Sequence, residues 1–187
     1  MDWRYIGVFL LAILLDGGFV YGQKMSVSTN LAGYAALGTL NAEIAYSVSR
    51  HWSLQVGAEY NPWTFRKGIT GKQFQMRRQS YSASAKYWFW HFGSGWWTEG
   101  KIQYQEYNEG GLMRRRTEEG DRFGLGFAAG YTYMLHPNIN IDFGLGFWGG
   151  YAKYVQFRCP SCGLMDRKGN KAFILPDDIL IAITYVF

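Results

Sequence analysis

The sequence predicts an all-β chain: an eight-stranded antiparallel transmembrane β-barrel, residues 23–187, behind an N-terminal signal peptide, residues 1–22. Three observations carry this. First, long runs alternate with period two, most plainly Phe123, Leu125, Phe127, Ala129, Tyr131 and Tyr133, then Ile139, Ile141, Phe143, Leu145 and Phe147. A helix would need a period near 3.6. Second, the alternation is unusual in sense: one face is large and aromatic, while the other carries Gly124, Gly126, Ala128, Gly130 and Thr132, then Asn140, Asp142, Gly144 and Gly146. Each run is long enough to cross a bilayer, for which roughly 9 to 11 residues suffice. Third, 187 residues with 19% aromatic content and 24 glycines lie far from soluble usage. No run of 18 apolar residues exists beyond the N-terminus, which argues against helical spans. Only moderate mean hydropathy is expected when lipid-facing and interior residues average out.

In order, Arg4, the apolar run Ile6 to Leu15 and a cleavage region at Tyr21-Gly22-Gln23 have the form of a secretory signal peptide. Asp2, Asp16 and Tyr21 depart from that form, and a short N-terminal anchor is the alternative. Removing residues 1–22 takes the formal charge from +5 to +6. The first strand is read as Met25 to Leu31, followed by a Gly/Ala-rich connection. Thr39 to Ser49, Trp52 to Asn61, Gln79 to Trp90 and Trp96 to Tyr107 supply the next four. The hairpin around Pro137-Asn138 supplies two, and Asp178 to Phe187 closes the count at eight. Polar stretches at 64–78, 108–120 and 155–176 read as long loops, and those around Arg50, His91 and His136 as short turns. Long loops on one side and short turns on the other suit a barrel with loops outside the cell and turns in the periplasm. Trp52, Trp63, Phe65, Trp88, Trp90, Trp96 and Trp97 cluster at strand ends and read as interfacial girdles.

Candidate functional residues follow from the parity of each strand. Glu43, Glu59, Lys86, Glu99, Lys101 and Asp142 fall on inward positions. An eight-stranded barrel is only wide enough for its own side chains, and unpaired interior charges are costly, so these six are expected to form a paired network that plugs the lumen. A narrow ion path is the alternative. Arg66, Lys67, Lys72, Arg77 and Arg78 form a basic stretch without acidic residues, either a solvated face or a set of contacts to lipid phosphates. Cys159-Pro160-Ser161-Cys162-Gly163 lacks the further ligands zinc would need and the βαβ context of a redox motif, so Cys159 and Cys162 are expected to form a local disulfide. His51, His91 and His136 all fall in short turns, and no nucleophile, base and acid can be assembled, so no enzymatic activity, no catalytic, metal-binding or cofactor-binding residue and no cofactor is expected, a lipid-modifying outer-membrane enzyme being the lesser alternative. Nucleic acid is the other partner that a pI near 9.2 could suggest; export argues against it.

The mature chain resembles a domain-of-unknown-function family of small bacterial outer-membrane β-barrels. The resemblance rests on Ser26-Val27-Ser28-Thr29-Asn30-Leu31, Tyr60-Asn61-Pro62-Trp63-Thr64-Phe65, Lys86-Tyr87-Trp88, and the Cys159 to Gly163 motif after Tyr151-Ala152-Lys153-Tyr154. The terminal Ile183-Thr184-Tyr185-Val186-Phe187 resembles the C-terminal insertion signal of such barrels. Asp177-Asp178 departs from the family pattern. The resemblance implies a fimbria- or envelope-associated surface or assembly role, with outer-membrane lipids, lipopolysaccharide and a surface or fimbrial protein as partners, and no established activity.

Overall fold

The structure, a computed structural model, describes residues 24–35, 38–67, 72–110, 117–158, 164–176 and 179–187. Ten strands form: β1 (Met25–Asn30), β2 (Leu40–Ser47), β3 (Trp52–Asn61), β4 (Thr64–Lys67), β5 (Lys72–Trp88), β6 (Gly95–Gly110), β7 (Thr117–His136), β8 (Ile139–Phe157), β9 (Met165–Pro176) and β10 (Leu180–Val186). A single helical turn, α1 (Leu31–Ala35), follows β1. Every pairing is antiparallel, in the order β10-β1-β2-β3-β5-β6-β7-β8, and β8 returns to β10. This closes an eight-stranded barrel, so at the level of the short strands no edge is left unpaired.

The cylinder is lopsided. β1, β2 and β10 run for only 6, 8 and 7 residues, whereas β7 and β8 run for 20 and 19. At about 3.3 Å per residue, β7 is on the order of 65 Å long. Beyond the short strands, β5 to β8 continue as a curved wall, extended on one side by β4 on β5 and on the other by β9 on β8. The polar stretches expected as loops are therefore largely strand: β4 and the start of β5 replace the loop at 64–78, β6 and β7 reach to Gly110 and from Thr117, and β9 lies within 155–176. Once neighbouring strands supply backbone partners, these segments pair whatever the polarity of their side chains. The Gly/Ala-rich connection after β1 likewise begins as α1.

Asn30 fastens β1 to β10. Its side-chain carbonyl accepts from the amides of Ala32 and Ile181, and its amide nitrogen donates to Ile179 O at 3.2 Å. Asn61, in the Asn-Pro-Trp element, plays the matching part at the end of β3. It donates to Thr39 Oγ1 at 2.9 Å and accepts from Trp63 N at 3.1 Å, while the Trp63 indole donates to Gly38 O at 3.0 Å. At the opposite end, Gly93 and Gly95 adopt φ of +77° and +75° in the connection between β5 and β6, a region that costs other residues strain.

Side chains alternate as the period-two reading requires. Leu54, Val56, Ile102, Leu125, Phe127, Leu145 and Phe147 stand on the outer surface, and Ser53, Gln55, Gln103, Gln105, Thr132 and Asn140 are buried within. Aromatic residues border the apolar outside at two levels. Tyr81, Tyr104, Phe123 and Tyr151 are successive register partners across β5 to β8. Toward the short turns stand Trp52, Trp90, Trp96 and Tyr133, all exposed. Two tryptophans expected in these girdles are elsewhere: Trp88 and Trp97 are buried in the lumen, Trp97 only 1% exposed beside Trp96 at 63%. Their parity explains it, since Trp88 shares a face with Lys86 and Trp97 with Glu99. The interior glycines make room for them. A Cβ on Gly130 would stand 2.3 Å from Trp97 Cζ2, and one on Gly144 would stand 2.7 Å from Cη2.

Candidate functional site in the barrel lumen

The lumen carries charge in two layers. The lower lies at the level of the short strands. Lys86 on β5 faces Glu99 on β6 across a register pair, with Nζ 3.6 Å from Oε2. Both are buried. Nζ also sits 4.3 Å from the Trp97 ring centroid and 5.5 Å from that of Trp88, so the ammonium is held by a carboxylate and two indole faces together. Trp88 is fixed in turn by donating from Nε1 to Ser53 Oγ at 2.9 Å. Asp142 accepts hydrogen bonds from Thr132 and Thr184. Glu43 and Lys101 line the same narrow cavity, about 90 Å³, as Lys86, Glu99 and Asp142. All six expected lumen charges, Glu59 among them, thus border one small space.

Glu59 also borders that space, but its ion pair is with Arg78, 3.8 Å away in the upper layer. Above it, Arg122 pairs with Glu109 at 3.4 Å, donates to Gln105 at 3.1 Å, and stacks its guanidinium 3.5 Å from the Tyr107 ring centroid. Nearer the rim, Glu118 accepts from Tyr107 at 2.7 Å, from Gln156 at 2.9 Å and from Lys171. Burial alone would raise the Glu118 carboxyl; the hydrogen bonds from Lys171, Gln156 and Tyr107 outweigh it and hold the group below its ordinary value. Burial and the bond to Glu118 push the Tyr107 hydroxyl well up.

Sequence reasoning missed this upper layer. Arg122 precedes the aromatic run that marks its strand, yet it has the parity of Gly124 and Gly126, which would have placed it inside. Trp148 shares the parity of Gly146 and is likewise buried, with its ring 4.6 Å from that of Phe173.

The other candidates disperse. Arg77 is exposed, whereas Arg78 turns into the lumen. Arg66 and Lys67 lie on β4 and Lys72 on β5, but their side chains lie outside the described part of the structure. Cys159 and Cys162 lie outside the described residues, as does the segment read as a signal peptide. His51 Nδ1 lies 2.8 Å from Trp88 O, and His91 Nδ1 3.3 Å from Phe92 O. Among the described residues, no three His, Cys, Asp or Glu side chains converge as a metal site, and no helix is long and apolar enough to cross a membrane.

A family model described as a protein of unknown function, DUF3575, matches residues 8–187. The chain belongs to the DUF3575 family. The match spans both lumen layers and the wall above them, so the DUF3575 unit includes the whole barrel. No match is found among curated proteins.

Proposed function

We propose that this DUF3575 protein is an integral outer-membrane β-barrel of a bacterial envelope, exported by its N-terminal segment, with a structural or surface-interaction role carried by the wall and loops at its long-strand end. The carrying observation is the spacing of the aromatic levels. Trp52 to Tyr60 and Trp96 to Tyr104 each span nine residues, and Phe123 to Tyr133 spans eleven, the length a tilted strand uses to cross a hydrocarbon layer about 30 Å thick. Between these levels the outside is apolar and the inside polar, the arrangement that lipid favours.

On this reading the wall of β4 to β9 stands above the membrane. Arg77, with Arg66, Lys67 and Lys72, contacts phosphates of outer-membrane lipids or lipopolysaccharide at its foot, and its faces are open to a surface or fimbrial protein. Cys159 and Cys162, in the sequence between β8 and β9, close a disulfide. The Lys86, Glu99 and Trp97 cluster supports a closed lumen over a narrow ion channel, since a cation held by a carboxylate and two indoles fills the middle of a cylinder only eight strands round.

The test is refolding of the purified chain into lipid vesicles. Protection of the barrel segments between the two aromatic levels from external protease, with cleavage confined to the wall and loops, is the expected outcome. A chain that stays soluble without detergent and leaves vesicles untouched contradicts the proposal. Steady conductance in planar bilayers that is altered by E99Q would favour the channel instead.

A further inference from the structure

A further cavity, of about 190 Å³, opens in the upper layer of the lumen, lined by Trp148 and Leu175 together with Gln103, Gln105 and Arg122. At about 30 Å³ per water, it holds roughly six waters' volume, enough for one small molecule. The geometry points to a binding site for a single neutral sugar residue, such as the end unit of a surface glycan. This goes beyond the proposed surface role, because the cavity lies within the barrel and its chemistry does not depend on which membrane surrounds it.

The charges around the cavity argue against an ion as ligand. Two guanidiniums, Arg78 and Arg122, face two carboxylates, Glu59 and Glu109, and each cation already has its carboxylate. The site therefore has no net charge to offer. What it offers is a dense mixture of donors and acceptors, and the ion pairs are long, 3.4 and 3.8 Å, so a hydroxyl can bridge them. Hydroxyls both donate and accept, and they suit such a lining better than a phosphate or an ammonium group does.

Gln103 points the same way independently. It is 6% exposed, lines the cavity, and its Oε1 has no hydrogen-bond partner among the described residues. A buried acceptor of this kind is costly unless a donor meets it. The neighbouring Gln105 is held rigidly, donating to Ser80 Oγ at 2.8 Å and accepting from Arg122, so two planar amides stand side by side on β6. In the same lining Trp148 is held by Phe173. Its indole gives the apolar wall against which the C–H face of a pyranose packs. Planar amides, a guanidinium fork and an aromatic wall around one small space are complementary to a ring with hydroxyls on its rim and hydrogens on its face.

The experiment is calorimetric titration of the full chain, refolded in detergent micelles, with D-glucose, D-galactose, D-mannose and N-acetyl-D-glucosamine, and with glycine and sulfate as charged comparisons. At least one neutral sugar should bind saturably, and glycine and sulfate should not. Q103L should weaken that binding at least tenfold, and Leu175→Trp, which fills the cavity from β9, should abolish it. Folding of each variant is read from heat-modifiable electrophoretic migration, and L175W decides alone if Q103L does not fold. Ser53→Ala, in the lower layer, should bind as the unaltered protein does. The proposal is overturned if none of the four sugars binds, if folded Q103L and L175W bind undiminished, or if sulfate or glycine binds with the same dependence on these variants.

Discussion

The lower and upper layers of the lumen use the same kinds of residue to different ends. In the lower layer Lys86 and Glu99 are buried beside Trp88 and Trp97. In the upper layer Glu118, Lys171 and Glu109 are half-open, and the pairs are knitted by Tyr107, Gln156 and Gln105 instead of by indoles. The difference teaches what each layer is for. A sealed ion pair contributes chiefly by what its loss would leave behind, because either partner alone is a buried charge. An open network responds to pH, salt and solutes. On the proposed reading the lower layer closes the barrel and the upper one meets the surroundings.

That contrast can be broken most severely at Gly130. A Cβ there would lie 2.1 Å from Phe143 O as well as against Trp97, so Gly130→Val is expected to prevent folding altogether, seen as loss of heat-modifiable migration; a folded G130V would mean that Trp97 does not occupy the space assigned to it. Next in size is Lys86→Met. It leaves Glu99 buried without its cation and is expected to cost about 3–5 kcal/mol in urea unfolding from micelles, with K86M/E99Q recovering part of the loss. A cost below about 1 kcal/mol would remove the distinction between the layers.

How much of this could be read beforehand depended on the physics at each level of the cylinder. Between the aromatic levels the two faces meet different surroundings, so alternation is sharp, and Phe123 to Tyr133 and Ile139 to Phe147 were legible as strands with the correct faces. Above those levels both faces meet polar surroundings. Lys72 to Arg78, Thr117 to Asp121 and Met165 to Lys171 then carry no period, although their backbones pair in antiparallel ladders, interrupted only by the irregularity opposite Gln156 and Phe157. The charged lumen residues were legible from parity, but which one pairs with which was not: Glu59 joins Arg78, a residue read as part of a basic loop. Tryptophan misled for a related reason. Residue type favours an interface, while parity sent Trp88 and Trp97 inward, and parity prevailed because the glycines opposite left space to fill.

The upper layer should show itself through pH. The Glu118 carboxyl is held below the ordinary Glu value of 4.5, so its contribution is present above that value and is lost as pH falls through the lower, folded-state one. The stability difference between the unaltered protein and E118Q should accordingly be constant above about pH 5 and shrink below it, and it should be on the order of 1 kcal/mol or less because the group is partly solvated. A difference that instead grows on acidification would contradict the hydrogen-bonding pattern around Glu118. The smallest effect is expected outermost. Arg158 pairs with Asp166 at 3.0 Å but is largely exposed, and R158A should change stability by less than about 0.5 kcal/mol and only at low salt.

The central claim is that consecutive residues of one strand face lipid and lumen in turn, and Trp96 and Trp97 test it most directly. In two variants refolded into vesicles of brominated lipid, each retaining only one of these tryptophans with the others replaced by phenylalanine, fluorescence of Trp96 should be strongly quenched and that of Trp97 almost unaffected. Equal quenching of the two, or none of either, would contradict the account.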